Sequence, residues 1–311
     1  LDELSKSITI EITLHQLFGT ISAPLKEQLT VALKELTGWH LPSHFRAQFE
    51  MLRSKSKRGS AAKGGLILDA VVSAAIDTQL AGQQPSSSLL AAYLADDTVQ
   101  AMPIDERRGY LRSTMYSLLL AGLETSVSSL YFSLDLLSRH PEFQRRAREE
   151  VRAAAIDGEI GSDNLPVRLP FTMAVVHEAL RLFPPVWFFG REAVTATKIM
   201  GEPISQGDIV LTSPYVIHRD PAHWQDPFVF QPERFLKQPA LASGNPLYMP
   251  FGVGPRTCVG RWLALYQITL ALAALIEGHE LSSDGEERPE LSSYFSLKTL
   301  KPIIIRVESC P

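Results

Sequence analysis

Phe251-Gly252-Val253-Gly254-Pro255-Arg256-Thr257-Cys258-Val259-Gly260 is the most informative stretch of this 311-residue chain. Its glycines and proline specify a tight, preformed loop, and Cys258 is expected at the start of a long apolar helix that runs to about Glu277. Free N–H groups and the dipole at a helix N-terminus stabilise an anion, so a thiol there, with a free pKa of ~8.5, is drawn toward the thiolate. Such a loop can present a thiolate metal ligand. An inert buried cysteine, common for this residue type, accounts for Cys258 equally well when the loop is taken alone. The other cysteine, Cys310, stands next to the C-terminal residue, and two cysteines are too few for a disulfide framework. A reducing compartment is expected.

Outside this loop the chain reads as mainly α with a small β region. Apolar spacing predicts helices over 1–19, 23–36 and 66–76, a long one from Asp105 to His140, one opened by Pro141, and one over 169–183 stopped by Pro184-Pro185. At ~1.5 Å per residue the long helix would run on the order of 50 Å, so it is expected to pass through the centre of the fold. After Pro141, residues Phe143, Ala147 and Val151 read as inward, and Arg145, Arg146, Arg148, Glu149, Glu150 and Arg152 as a solvated face. Residues 82–88 read as a loop, 186–212 as short strands and turns, and 214–250 as proline-rich irregular chain of the kind that serves a function inside a compact domain.

Composition is that of an ordinary folded protein, 45% hydrophobic and 21% charged. Thirty basic and 34 acidic side chains leave a net charge of −4, without the broad positive field of a dedicated nucleic-acid binder. The local basic cluster Arg46, Arg53, Lys55, Lys57, Arg58 and Lys63 reads as a solvated loop in preference to a face for anionic lipid or an acidic protein partner. The longest nearly apolar stretch, Leu263 to Ile276, falls short of the ~20 residues a bilayer requires, so no membrane crossing is expected.

Common catalytic patterns fail. His177-Glu178 opens like a metalloprotease helix, but Arg181 stands where the second histidine belongs. His40 and His44 have ligand spacing, yet Pro42 lies between them and they read as a surface pair. Gly252-Val253-Gly254 begins like a dinucleotide fingerprint, but Thr257 takes the third glycine position. Residues 251–260 do match F-G-x-G-x-R-x-C-x-G, the haem-binding signature of the cytochrome P-450 superfamily, at all six fixed positions. The chain resembles that family in three more segments, in the family's order. Ala121-Gly122-Leu123-Glu124-Thr125 is similar to its oxygen-activating turn, Glu178-Ala179-Leu180-Arg181 to its E-x-x-R helix, and Pro232-Glu233-Arg234-Phe235 to its P-E-R-F segment.

The resemblance implies a cytochrome P-450 fold and a single haem domain over 1–311, lacking the family's first helices. Trp39, Trp187, Trp224 and Trp262 begin no W-x-x-x-R pattern of the family's early helix, and 1–19 resembles a helix from its middle, so residues preceding Leu1 are expected. The cofactor implied is haem b (iron protoporphyrin IX), with Cys258 as the axial ligand of the haem iron. Arg256 and Arg191 would pair with its propionates, Phe251 would cover the sulfur side, and Ala121 and Gly122 would let the haem lie close to the central helix. Glu124 and Thr125 would deliver protons to O2, the co-substrate, with the Thr125 hydroxyl competing for the i−4 carbonyl and opening the helix locally. Glu178, Arg181 and Arg234 would form a structural triad.

The activity implied is a monooxygenase that hydroxylates or epoxidises an apolar organic small molecule, with electrons from a separate ferredoxin or flavoprotein reductase. Rival readings are a haem-thiolate isomerase, dehydratase or peroxygenase, and a non-catalytic helper that binds another enzyme. Intact Cys258 speaks against the helper, and Glu124-Thr125 favours reductive O2 activation. Val186, Phe188 and Phe189 read equally as pocket lining and as core. A cytoplasmic location is expected, with membrane contact and an anchor preceding Leu1 left open.

Overall fold

A computed structural model describes residues 1–37, 58–81, 87–156, 164–238, 241, 245–283, 289–293 and 296–310. The chain divides into two compact units, one of Asp2–Val127 and one of Ser128–Pro311 together with Leu1.

The described elements of the first unit are all helices. Its elements are α1 (Asp2–Phe18), α2 (Ala23–Thr37), α3 (Arg58–Leu80), α4 (Leu89–Ala95), α5 (Asp97–Gln100) and the first part of α6 (Ile104–Arg139). Ile10, Leu14 and Phe18 recur on one face of α1 and meet Leu29 and Leu33 of α2, Val72 and Ile76 of α3, Leu90 of α4 and Leu111, Met115 and Leu119 of α6 in one buried cluster. Each such side chain contributes roughly 1.5–3 kcal/mol by leaving water. Gly19 closes α1 with φ +70°, a conformation glycine adopts without strain.

Helix α3 starts eight residues before its apolar pattern and runs through Gly59, Gly64 and Gly65. Packing along α2 overrides the roughly 1 kcal/mol that each glycine costs a helix. The short α4 and α5 begin at caps: Ser88 Oγ accepts from Ala91 N at 3.2 Å, and Asp96 Oδ1 accepts from Thr98 N at 2.9 Å. The His40/His44 pair and the basic positions 46–57 lie outside the described residues, as do the side chains of Arg58 and Lys63.

Helix α6 serves both units, with the boundary between Val127 and Ser128. Every residue from Ser126 to Ser138 is buried. The buried centre of α6 thus lies at 126–138, beyond the Glu124-Thr125 pair: Ala121 is exposed, and Gly122, Glu124 and Thr125 are half-buried. The reason is a set of serines that hydropathy counts as polar. Ser133 Oγ donates to Ser129 O at 2.7 Å, Ser138 Oγ to Asp135 O at 2.7 Å, and Ser128 Oγ to Leu297 O at 2.8 Å, so these small hydroxyls are satisfied without water. By length and composition α6 is able to span a bilayer, with mean hydropathy 1.2 over an 18-residue window, but 61% of that window is buried inside the protein, as in a core helix.

The second unit is built around α9 (Pro170–Leu182), which is buried from Phe171 to Leu182 and packs against α7 (Pro141–Ile156), α11 (Glu233–Lys237) and α12 (Arg261–Gly278). The one-turn helices α8 (Leu165–Arg168) and α10 (Pro214–Ile217) precede and follow it. Four two-stranded antiparallel ladders complete the unit: β1 (Phe189–Glu192) with β4 (Ile209–Thr212), β2 (Thr197–Ile199) with β3 (Glu202–Ile204), β5 (His279–Ser282) with β8 (Arg306–Ser309), and β6 (Leu291–Ser293) with β7 (Leu297–Thr299).

Two expectations about this unit are corrected. Arg148 is buried, because its guanidinium satisfies Ile276 O at 2.7 Å, His279 O at 2.8 Å and Gln144 Oε1 at 2.9 Å at the end of α12. Glu150 likewise leaves the solvated face to cap α9, accepting from Phe171 N at 2.7 Å and Thr172 N at 2.8 Å. The last helix starts at Arg261 with Gly260 as its N-cap, three residues after Cys258. A 3-10 turn over Gly254–Arg256 precedes the cysteine, and the Cys258 N–H turns back to Phe251 O at 2.9 Å instead of entering the helix.

Candidate functional site

The cysteine loop owes its shape to backbone handedness. Gly252 and Gly254 have φ +70° and +71°, where a side chain is strained, and Thr257 donates from both N (3.0 Å) and Oγ1 (2.8 Å) to Gly254 O. Cys258 is exposed, and an added Cβ at Gly260 would stand 3.9 Å from its sulfur, an ordinary contact. Phe251 is half-buried, and Arg256 is exposed on the same loop.

Beneath the approach to this loop lies a buried charge network. Glu178 and Arg181 are both 0% exposed and meet as a bidentate pair, Nε to Oε2 at 2.7 Å and Nη2 to Oε1 at 2.8 Å. Arg234 Nε joins Glu178 Oε1 at 3.0 Å, and the Gln231 N–H donates to the same oxygen at 3.0 Å. Arg181 also donates to three carbonyls of the irregular chain, His218 O at 2.8 Å, Pro227 O at 2.7 Å and Val229 O at 3.2 Å. The Trp224 ring lies under both guanidiniums, at 5.1 Å from Arg181 and 5.9 Å from Arg234. Charges that burial would otherwise make very costly are thus satisfied by one another and by the meander they hold.

The remaining sequence candidates fall in two places. Arg191, opposite Val210 in the β1–β4 ladder, is exposed, with its guanidinium 4.9 Å from the Phe189 ring centre. Ala121, Gly122, Glu124 and Thr125 occupy α6 in the first unit. Thr125 Oγ1 donates to Ala121 O at 2.8 Å, and the helix stays continuous through this i−4 bond. A Cβ added at Gly122 would meet nothing within 4 Å, so no neighbour in the protein demands glycine there. Cys258, Arg256, Phe251 and Arg191 all belong to the second unit.

A family model for "Cytochrome P450" matches residues 71–306, more than half of the chain and including both the α6 residues and the cysteine loop. The chain belongs to the cytochrome P450 family. It is 36% identical to cytochrome P450 3A6 of Oryctolagus cuniculus over 62% of this chain and 39% of that protein. It is 30% identical to cyclooctatin synthase of Streptomyces melanosporofaciens over 86% of this chain and 59% of that protein, and 33% identical to human cytochrome P450 3A7 over 61% and 38%. The chain thus spans between about two fifths and three fifths of these curated relatives' length.

The residues present fit the haem that the P450 family implies. A thiol is a soft donor suited to iron, and within five residues of it Val253, Val259, Trp262 and Leu263 are 42%, 91%, 55% and 40% exposed. Apolar surface of this kind beside a thiol and an exposed arginine suits a large flat apolar group with an anionic edge.

Sequence reasoning missed the groups that tie the P450 loop to its support. His177, dismissed with the metalloprotease pattern, places Nδ1 2.8 Å from Tyr248 Oη, and the Tyr248 hydroxyl donates to His177 O at 3.1 Å. His218 bonds through both ring nitrogens, to Arg181 O at 3.2 Å and to Met249 N at 2.9 Å. Burial is the first cause that pushes these imidazoles down, His177 to about 4 and His218 to about 3. No local spacing signals such partners. Trp187 packs with Tyr131, Phe132 and Leu297 as core, and its ring lies 4.3 Å from that of Phe188.

Proposed function

We propose that this chain is the haem-thiolate part of a monooxygenase that inserts one oxygen atom of O2 into an apolar organic small molecule by hydroxylation or epoxidation. The observation that carries the reading is Cys258, exposed on a loop whose turns require Gly252 and Gly254, within a family match that reaches both units. Haem b, when bound, supplies the redox centre at which O2 is activated, with a cysteine thiolate pushing electron density toward O–O cleavage. Cys258 would hold the iron, Arg256 and Arg191 would neutralise the propionates, and Phe251 would shield the sulfur from water. Ala121 and Gly122 keep the α6 backbone accessible to a flat group.

Glu124 and Thr125 are the proton-handling pair in this reading. Thr125 Oγ1 gives its hydrogen to Ala121 O, so its part in proton delivery is to hold, as an acceptor, the water that carries the proton, with the neighbouring Glu124 carboxyl as the acid that supplies it. The two units act as one haem domain, a reading supported by the match running unbroken across residue 127. Electrons come from a separate ferredoxin or flavoprotein reductase. A cytoplasmic location goes with this reading.

The test is spectroscopic. Protein reconstituted with haem, reduced and exposed to carbon monoxide is expected to show the red-shifted Soret band of thiolate ligation. Cys258→Ala abolishes that band and Cys310→Ala leaves it. Retention of the band in Cys258→Ala, or failure of the unaltered protein to take up haem, overturns the proposal.

A further inference from the structure

We propose that His218 is a positioning residue for Cys258, the last link of a hydrogen-bond relay that carries the rigidity of the buried Glu178–Arg181 pair into the cysteine loop. The proposal rests on the haem-thiolate reading for what the cysteine does, and on geometry alone for how it is held.

The relay is continuous. Arg181 brackets His218 twice: its Nη1 donates to His218 O at 2.8 Å, and its carbonyl lies 3.2 Å from His218 Nδ1. The backbone N–H of Met249 donates to His218 Nε2 at 2.9 Å. Because Nε2 accepts, the ring proton sits on Nδ1 and is given to Arg181 O, so one neutral tautomer satisfies both contacts. Met249 O then accepts from Gly252 N at 3.0 Å, and Phe251 O accepts from Cys258 N at 2.9 Å. From the carboxylate of Glu178 to the backbone of Cys258, each segment is tied to the next.

Packing alone does not explain an imidazole here. His218 is 0% exposed and stacks on Tyr248 at 5.3 Å and 29°, a place a phenyl ring would fill as well. What a phenyl lacks is the acceptor, and without it the Met249 N–H would be left unpaired where water does not reach. Tyr248 anchors the preceding residue independently through His177, so the loss of His218 frees Met249 and the chain beyond it without detaching the whole segment.

The experiment compares His218→Phe, which keeps the ring and removes the acceptor, with His218→Gln, whose amide oxygen reaches the position of Nε2. Two readouts are taken. In the first, amide exchange of the peptide containing Met249, followed in haem-free protein, is expected to quicken about tenfold in His218→Phe, the factor for loss of one net buried hydrogen bond of about 1.4 kcal/mol, and to return toward the original rate in His218→Gln. In the second, the carbon monoxide spectrum of reduced, haem-loaded protein is expected to show in His218→Phe a large fraction at the non-thiolate position, again reversed in His218→Gln. Val176→Ala, a buried apolar side chain of α9 that makes none of the relay's hydrogen bonds, is the control for general destabilisation.

Unchanged exchange at Met249 in His218→Phe overturns the relay, and so does an equal non-thiolate fraction in the Val176→Ala control. If His218→Phe does not fold, His218→Gln still decides, because exchange as fast at Met249 as in a surface loop would show that the acceptor is not what holds it. Failure of unaltered protein to ligate haem through sulfur overturns the haem-thiolate reading and leaves the exchange arm to judge the relay.

Discussion

At Gly252 and Gly254 the backbone is left-handed, and any other residue there is strained whatever space surrounds it. Cys258 depends on those two positions for the direction in which its sulfur leaves the chain. Both glycines and the cysteine were legible in the sequence because loop handedness is a local property. The site on α6 was legible only in part: the Thr125–Ala121 bond follows from i, i+4 spacing, but the exposure of Ala121 does not. Under the proposed function, Thr125→Ala removes the hydroxyl that orients the proton-carrying water while sparing the helix. Product formed per reductant consumed is expected to fall on the order of tenfold, with reductant oxidation maintained. Equal coupling in variant and unaltered protein, measured by product and peroxide yield, would remove Thr125 from the proton path.

Helix α9 and the irregular chain that follows are joined by charge where regular pairing is absent. Glu178 receives Arg181, Arg234 and the Gln231 N–H, so replacing its carboxylate leaves a fully buried guanidinium without its counter-ion. Glu178→Gln is expected to lower the unfolding free energy by about 3–5 kcal/mol, read from urea denaturation at neutral pH. A loss under about 1 kcal/mol would show that the meander stands without this pair. The i, i+3 spacing made the Glu178–Arg181 contact readable in advance. The roles of Arg148 and Glu150 were not readable, because charges on an amphipathic helix look alike until the end of α12 and the start of α9 arrive beside them.

Across the molecule, two buried histidines couple stability to pH. Both imidazoles stay neutral in the fold, His177 down to about 4 and His218 down to about 3, whereas an unfolded histidine takes up a proton near 6.5. Below 6.5 the unfolded chain therefore binds more protons than the native one, and stability is lost as pH falls from 6.5 toward 4. Each histidine contributes about 1.4 kcal/mol per pH unit, so the step from pH 6.5 to 5 costs about 2 kcal/mol per residue. Asp135 acts in the opposite sense, since burial raises its carboxyl and protonation favours the fold. The expected net result is a lower urea midpoint at pH 5 than at pH 7, with His177→Gln losing a substantial part of the difference. A midpoint independent of pH in the unaltered protein would contradict this. The sequence by itself determined the helical class, the cysteine loop and the Glu178–Arg181 pair, because periodicity, glycine handedness and i, i+3 spacing act over a few residues. Only the tertiary structure decided that Arg148 is internal and that His218 carries Met249, because those bonds join residues 128 and 31 positions apart, and a buried polar group is specified by the partner that folding brings to it.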